Sequence, residues 1–108
     1  MKIIHNKLVR DRIPEIIDAN GQKCACRPLS EQEYLAALDQ KLNEELAEYQ
    51  QDKSMEELAD LLEVIRAVIV ARGSTYDQVE TIRKVKRDKR GGFERKIWLE
   101  AVEDSAQK

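Results

Sequence analysis

Two runs of acids are the residues of this 108-residue chain best suited to chemistry. The first is Glu44-Glu45-Leu46-Ala47-Glu48. The second is Glu57-Leu58-Ala59-Asp60, with Glu56 before it and Glu63 after it. On a helix, residues i and i+3 share a face, so Glu45 points with Glu48 and Glu57 with Asp60. The short segment Gln51-Asp52-Lys53 joins the two runs and sets their helices antiparallel. Glu48, near the end of one helix, then faces the start of the next, and four carboxylates converge. Carboxylates pressed together repel and raise one another's pKa. A hard divalent cation removes that conflict. Mg²⁺ prefers oxygen ligands and commonly sits between carboxylates and substrate phosphates. The plainer reading is a solvated acidic face on charge-rich helices, and the pattern by itself leaves both readings open.

The elements that must position these acids are helical. Ser30 opens a helix, and Glu33 three residues later makes a capping box. Leu35, Leu38, Leu42, Leu46 and Tyr49 recur at spacings of three and four, which predicts an amphipathic helix to about Gln51. Glu45 lies seven residues after Leu38 and four before Tyr49, so it sits in the apolar seam. Ser54 with Glu57 repeats the capping signature. Leu58, Leu61, Leu62, Ile65, Val68 and Ile69 mark the next helix, which stops near Arg72 and Gly73. Asp60 shares an edge with Val64 and Val68, and Glu57 leads to Leu61, so these acids border the core.

Around this pair the chain predicts two further helices. One starts near Pro14, a residue preorganised for the first helical turn, with Asp11 close before it; Gly21 stops it. Its stripe is Ile13, Ile16 and Ile17. The other starts at Ser74 or Thr75, carries Val79, Ile82 and Val85 on one side, and ends at Gly91-Gly92. Residues 3–9 read as a short strand or extended arm. Phe93, Ile97, Trp98 and Leu99 are interleaved with charges, a pattern open to a strand or a short helix, with Lys96-Ile97-Trp98-Leu99-Glu100 slightly favouring an extended segment and Trp98 in a core or interface. The tail from Glu103 is polar and reads as frayed. The expectation is an all-α, four-helix bundle-like single domain, 1–108, with short extended N- and C-terminal segments.

Composition narrows the function classes. Acids number 21 and bases 19, for a net charge of -2, which argues against coating nucleic acid. Aromatics are 5%, too few for base-stacking platforms. No apolar stretch approaches the roughly 20 residues needed to span a bilayer, and the first residues lack the apolar region of a secretory signal. Cys24 and Cys26 are one residue apart, and His5 is the lone histidine. A bridge across that spacing is strained, and the zinc ligand set is incomplete, so the pair reads as reduced loop thiols of a cytoplasmic protein.

Glu44-Glu45-x-x-Glu48 followed by Glu57-x-x-Asp60 resembles the metal-binding signature of the MazG-like all-α nucleoside triphosphate pyrophosphohydrolases. The opening Asn6-Lys7-Leu8-Val9-Arg10-Asp11-Arg12-Ile13-Pro14-Glu15-Ile16-Ile17 resembles the start of a compact subgroup of that superfamily. Arg90-Gly91-Gly92-Phe93-Glu94-Arg95-Lys96 resembles its ending. Together the matches cover about residues 4 to 100. The resemblance implies a hydrolase that uses Mg²⁺, with Mn²⁺ as a substitute, to cleave a nucleoside triphosphate to monophosphate and pyrophosphate, and a homodimer or homotetramer. It implies Glu45, Glu48, Glu57 and Asp60 as metal ligands, and Glu44 or Glu45 as the acceptor of a water proton. Lys86 and Arg90, four apart, resemble the Lys/Arg pair that contacts phosphate oxygens, with Lys7, Arg10 and Asp11 as a further clamp. Arg10-Asp11 equally reads as an ion pair capping the first helix. Eight residues separate Glu48 from Glu57, a short connection for this superfamily that leaves less wall for a base pocket.

Two other readings remain. The same chemistry can act on another phosphoanhydride, such as a phosphoribosyl nucleotide. Alternatively, the chain is a non-catalytic helical interaction module whose acids are surface charge. The apolar residues from Leu58 to Ile69 cover more than one narrow stripe, which favours a homo-oligomer.

Overall fold

The computed structural model describes residues 1–104, and these hold four helices and no strand. Helix α1 spans Ile13–Ala19, α2 Glu31–Asp52, α3 Met55–Ala71 and α4 Tyr76–Arg90. The all-α class expected from the periodicity is the one observed. The chain divides into two compact units, Met1–Tyr76 and the segment from Asp77 onward.

In the first unit, α2 and α3 pack on each other as a hairpin. The turn between them is two residues, Lys53 and Ser54. Lys53 adopts the left-handed conformation (φ 56°) and donates its N–H to the Tyr49 carbonyl at 2.7 Å, closing α2. Ser54 then opens α3 by accepting the Glu57 N–H at 3.2 Å. The far end of the hairpin is tied by Arg72 to Asp39 at 3.0 Å.

The capping box at Ser30 is present in full. The Glu33 N–H donates to Ser30 Oγ at 3.2 Å, and the Ser30 N–H donates to Glu33 Oε1 at 3.1 Å. That backbone N–H, then Arg27, holds the Glu33 carboxyl below its ordinary range. Ser30→Ala removes one satisfied helix-end donor, and urea unfolding should show a loss of about 1 kcal/mol.

Only Leu38 (3% exposed) and Ile69 (8%) are fully buried apolar side chains among the described residues. Leu35, Leu42, Tyr49, Leu61 and Val68 are half-buried around them, as the seam predicts. Leu46 departs from that expectation: it is 45% exposed. It stands one position past Glu45, about 100° round the helix, so the acid takes the seam position and turns the leucine out.

Helix α1 carries Pro14 in its first turn and ends before Gly21 (φ 80°), but no side chain caps it; Arg12, not Asp11, is the cap residue. Ile13 and Ile17 are half-buried and Ile16 is exposed. The second unit carries all but the first residue of α4, whose expected stripe is weakly covered: Val79 is half-buried, while Ile82 and Val85 are exposed. The helix stops at Arg90, before Gly91 (φ 83°).

Neither terminal segment forms a strand. Asn6 (φ 48°) and Lys96 (φ 58°) are left-handed, which interrupts an extended run, and the Lys96 N–H closes a turn onto the Phe93 carbonyl at 3.0 Å. Phe93, Ile97, Trp98 and Leu99 are all exposed, so Trp98 is not part of a core within this chain. The expected frayed tail lies largely beyond the described residues.

Candidate metal centre

The turn end of the hairpin gathers the acids. One carboxylate oxygen each from Glu45, Glu57 and Asp60 lies within 4.8 Å of the others. Glu48 interacts with both Glu45 and Glu57. Three of the four acids expected to converge thus lie together, and the fourth, Glu48, is their neighbour through Glu45 and Glu57. They meet because Glu45 occupies a seam position of α2 and because Glu57 and Asp60 stand one turn apart at the start of α3. At Ser54 the cap uses only the backbone N–H of Glu57, and the Glu57 carboxyl joins the cluster.

The cluster is poorly neutralised. Glu45 is buried, its side chain 9% exposed. Lys41 lies 3.5 Å from Glu45 Oε1 and 3.5 Å from Glu44 Oε1. Among the described residues, Glu45 Oε2 and Glu57 Oε2 are buried without a hydrogen-bond donor. An unpaired buried carboxylate oxygen is costly. Burial pushes the Glu45 carboxyl above its ordinary value, and the charge of Glu48 pushes it further against the pull of Lys41. Burial also raises Glu57, followed by its hydrogen bond with Glu48 and the charges of Glu48, Asp52 and Asp60.

The sign of the pH effect follows. A carboxyl raised in the fold binds more protons folded than unfolded once the pH passes its ordinary value of 4.5. Stability therefore falls as pH rises through that window. The lowered carboxyls Glu33, Glu80 and Glu94 act in the other direction and only as pH falls below the same value. In chelator, thermal unfolding midpoints should thus rise when pH is lowered from neutral toward about 5. Glu45→Gln should flatten that slope. A midpoint independent of pH over this range would contradict the crowded cluster.

The remaining expected residues are less gathered. Glu44 is half-buried and paired with Lys41. Arg10 does not pair with Asp11; its Nη2 donates to Asp60 Oδ1 at 2.7 Å. Lys7 and Asp11 are exposed on the irregular N-terminal segment. Lys86 and Arg90 are exposed, one turn apart on α4, in the second unit. A groove of about 510 Å³ lies at the opposite end of the hairpin, lined by residues including Tyr34, Glu63, Arg66 and Val70, and it contains none of the acids at issue. There Arg66 stacks over the Tyr76 ring at 4.2 Å. Cys24, half-buried, hydrogen-bonds with exposed Cys26, which together with burial raises its thiol pKa.

One participant, Lys41, and one contact, that of Arg10, were not foreseen. Lys41 stands three and four residues before Glu44 and Glu45, a spacing that signals an ion pair on a helix. The contact of Arg10 with Asp60 joins residues 50 apart and has no local signal.

No helix of the described residues is long and apolar enough to cross a membrane. No known family profile matches the chain, and no solved structure matches it. A stretch of 42 residues, 39% of the chain, is 62% identical to a protein of Mycolicibacterium smegmatis described as uncharacterized. That stretch spans 43% of the relative, so less than half of its length is matched.

Proposed function

We propose that the chain is a Mg²⁺-dependent nucleoside triphosphate pyrophosphohydrolase of the MazG-like kind, a cytoplasmic house-cleaning enzyme that works as a homo-oligomer. The observation that supports this most is the close grouping of Glu45, Glu57 and Asp60, with Glu48 interacting with the first two, and the two buried carboxylate oxygens there that no donor satisfies. The donor set is all oxygen and strongly anionic, which suits a hard divalent ion rather than a soft one.

These four acids would hold the ion. When bound, such an ion polarises phosphoryl oxygens and lowers the pKa of a coordinated water. The chain's own groups do the rest. Glu44 is more accessible than Glu45, and Lys41 holds it 3.5 Å away at the edge of the cluster. It accepts the proton of the attacking water. Lys41 orients Glu44 and Glu45 along one side of α2. Seating on a hairpin closed by a two-residue turn fixes the spacing of the acids, which lowers the reorganisation needed on binding.

Pyrophosphate release from a panel of canonical and modified nucleoside triphosphates, with Mg²⁺ and with chelator, tests this reading. Metal-dependent release supports it, and the panel ranks bases and sugars. Release only from a phosphoribosyl nucleotide keeps the chemistry and changes the substrate. No release from any phosphoanhydride by folded protein moves the assignment to a helical interaction module.

A further inference from the structure

Arg10 reaches from the N-terminal segment to the acidic cluster. Its guanidinium Nη2 lies 2.7 Å from Asp60 Oδ1. Residues 1–10 contain no helix or strand, and the pair is partly solvated, with side chains 59% and 42% exposed. Asp60 is one of the three acids whose oxygens already lie within 4.8 Å of each other. Glu45 and Glu57 each keep one unsatisfied buried oxygen, while Asp60 Oδ1 accepts from Arg10. A surface ion pair of this kind is weak, because water competes for both partners. A divalent ion at the cluster repels the guanidinium and competes for the same carboxylate.

On that basis, and resting on the metal-site reading above, we infer that Arg10 is a built-in counter-cation of Asp60 that is exchanged for the divalent ion. Metal loading then frees the guanidinium at the rim of the cluster, where an anionic phosphate oxygen replaces Asp60 as its partner. Arg10 thus links filling of the metal site to readiness for a phosphoanhydride. The exchange gives its mutants a distinctive signature. A residue that merely orients Asp60 as a ligand would weaken metal binding when removed. A residue that competes with the metal would strengthen it.

The experiment is calorimetric titration of the full chain with Mg²⁺ alone, for wild type, Arg10→Gln, Arg10→Lys and Glu57→Gln, with helicity checked for each. Alongside it, the Arg10 side-chain Nε–Hε resonance of wild type is followed during the titration, assigned by its disappearance in Arg10→Lys. Exchange predicts that Arg10→Gln binds Mg²⁺ about threefold or more tightly than wild type, as expected for losing a nearby positive charge. Arg10→Lys, which keeps the charge, stays near wild type. The Nε–Hε resonance moves to the position of a solvated arginine as Mg²⁺ is added. Equal or weaker binding by Arg10→Gln, or an unmoved resonance at saturation, overturns the exchange while leaving the metal site standing. Absence of Mg²⁺ binding in wild type, or binding that survives Glu57→Gln, overturns the metal-site reading, and the exchange with it.

Discussion

Glu48→Gln is expected to lower metal-dependent pyrophosphate release about a hundredfold or more while leaving the helices intact. Two observations separate this outcome from unfolding. Glu48 is exposed, so its replacement removes little packing. It also lies against Glu45 and Glu57, each of which carries a buried oxygen without a donor. A glutamine there supplies amide protons and removes one negative charge from a crowded cluster. The metal-free variant should therefore melt no lower than wild type in chelator, and above it if the amide reaches either oxygen. The combination of unchanged or raised stability with lost turnover is the mark of a group held at functional expense. Retained turnover would remove Glu48 from the ligand set and leave Glu45, Glu57 and Asp60. A fall in stability matching the fall in turnover would instead mark Glu48 as structural.

Much of this site was legible because local rules govern it. Ser30 with Glu33 and Ser54 with Glu57 marked the helix starts, since a helix leaves its first N–H groups to be satisfied by side chains. The three-and-four spacing placed Glu45 between Leu38 and Tyr49, and the structure buries it there. The same rule misjudged Leu46, because seam membership by spacing admits two neighbouring positions and only one faces the partner helix. The apolar residues at 97–99, flanked by Lys96 and Glu100, hinted at an extended segment, yet a strand requires a partner ladder, and a left-handed Lys96 breaks the run. The contact of Arg10 with Asp60 was invisible to any local rule, because which acid a solvated arginine meets depends on where an irregular segment crosses the hairpin. Asp11 is its neighbour in sequence, but the carboxylate it meets is Asp60, one of the clustered acids.

Purified protein should sediment and scatter light as a species larger than 12.5 kDa, and Leu62→Glu with Ile65→Glu should return it to that mass. Leu38 and Ile69 are the only fully buried apolar side chains among the described residues, while a stable domain needs far more buried area than two side chains provide. The apolar residues needed for a larger core are present but uncovered. On α3, Leu62 and Ile65 stand three apart on a side that α2 leaves open, and both are exposed. Leu46, turned out of the seam on α2, is exposed as well. A second copy covering this surface buries two large aliphatic side chains per chain, and half-exposed chains of this size gain about 1 kcal/mol or more each on burial. Counted in both partners of a symmetric dimer, their replacement by glutamate should weaken association by about a hundredfold or more. Because folding and association then share one core, dilution of wild type should lower its thermal midpoint together with its mass. A monodisperse 12.5 kDa species with full helicity at all concentrations would refute this, and would mean that the hairpin is stable with its apolar face in water.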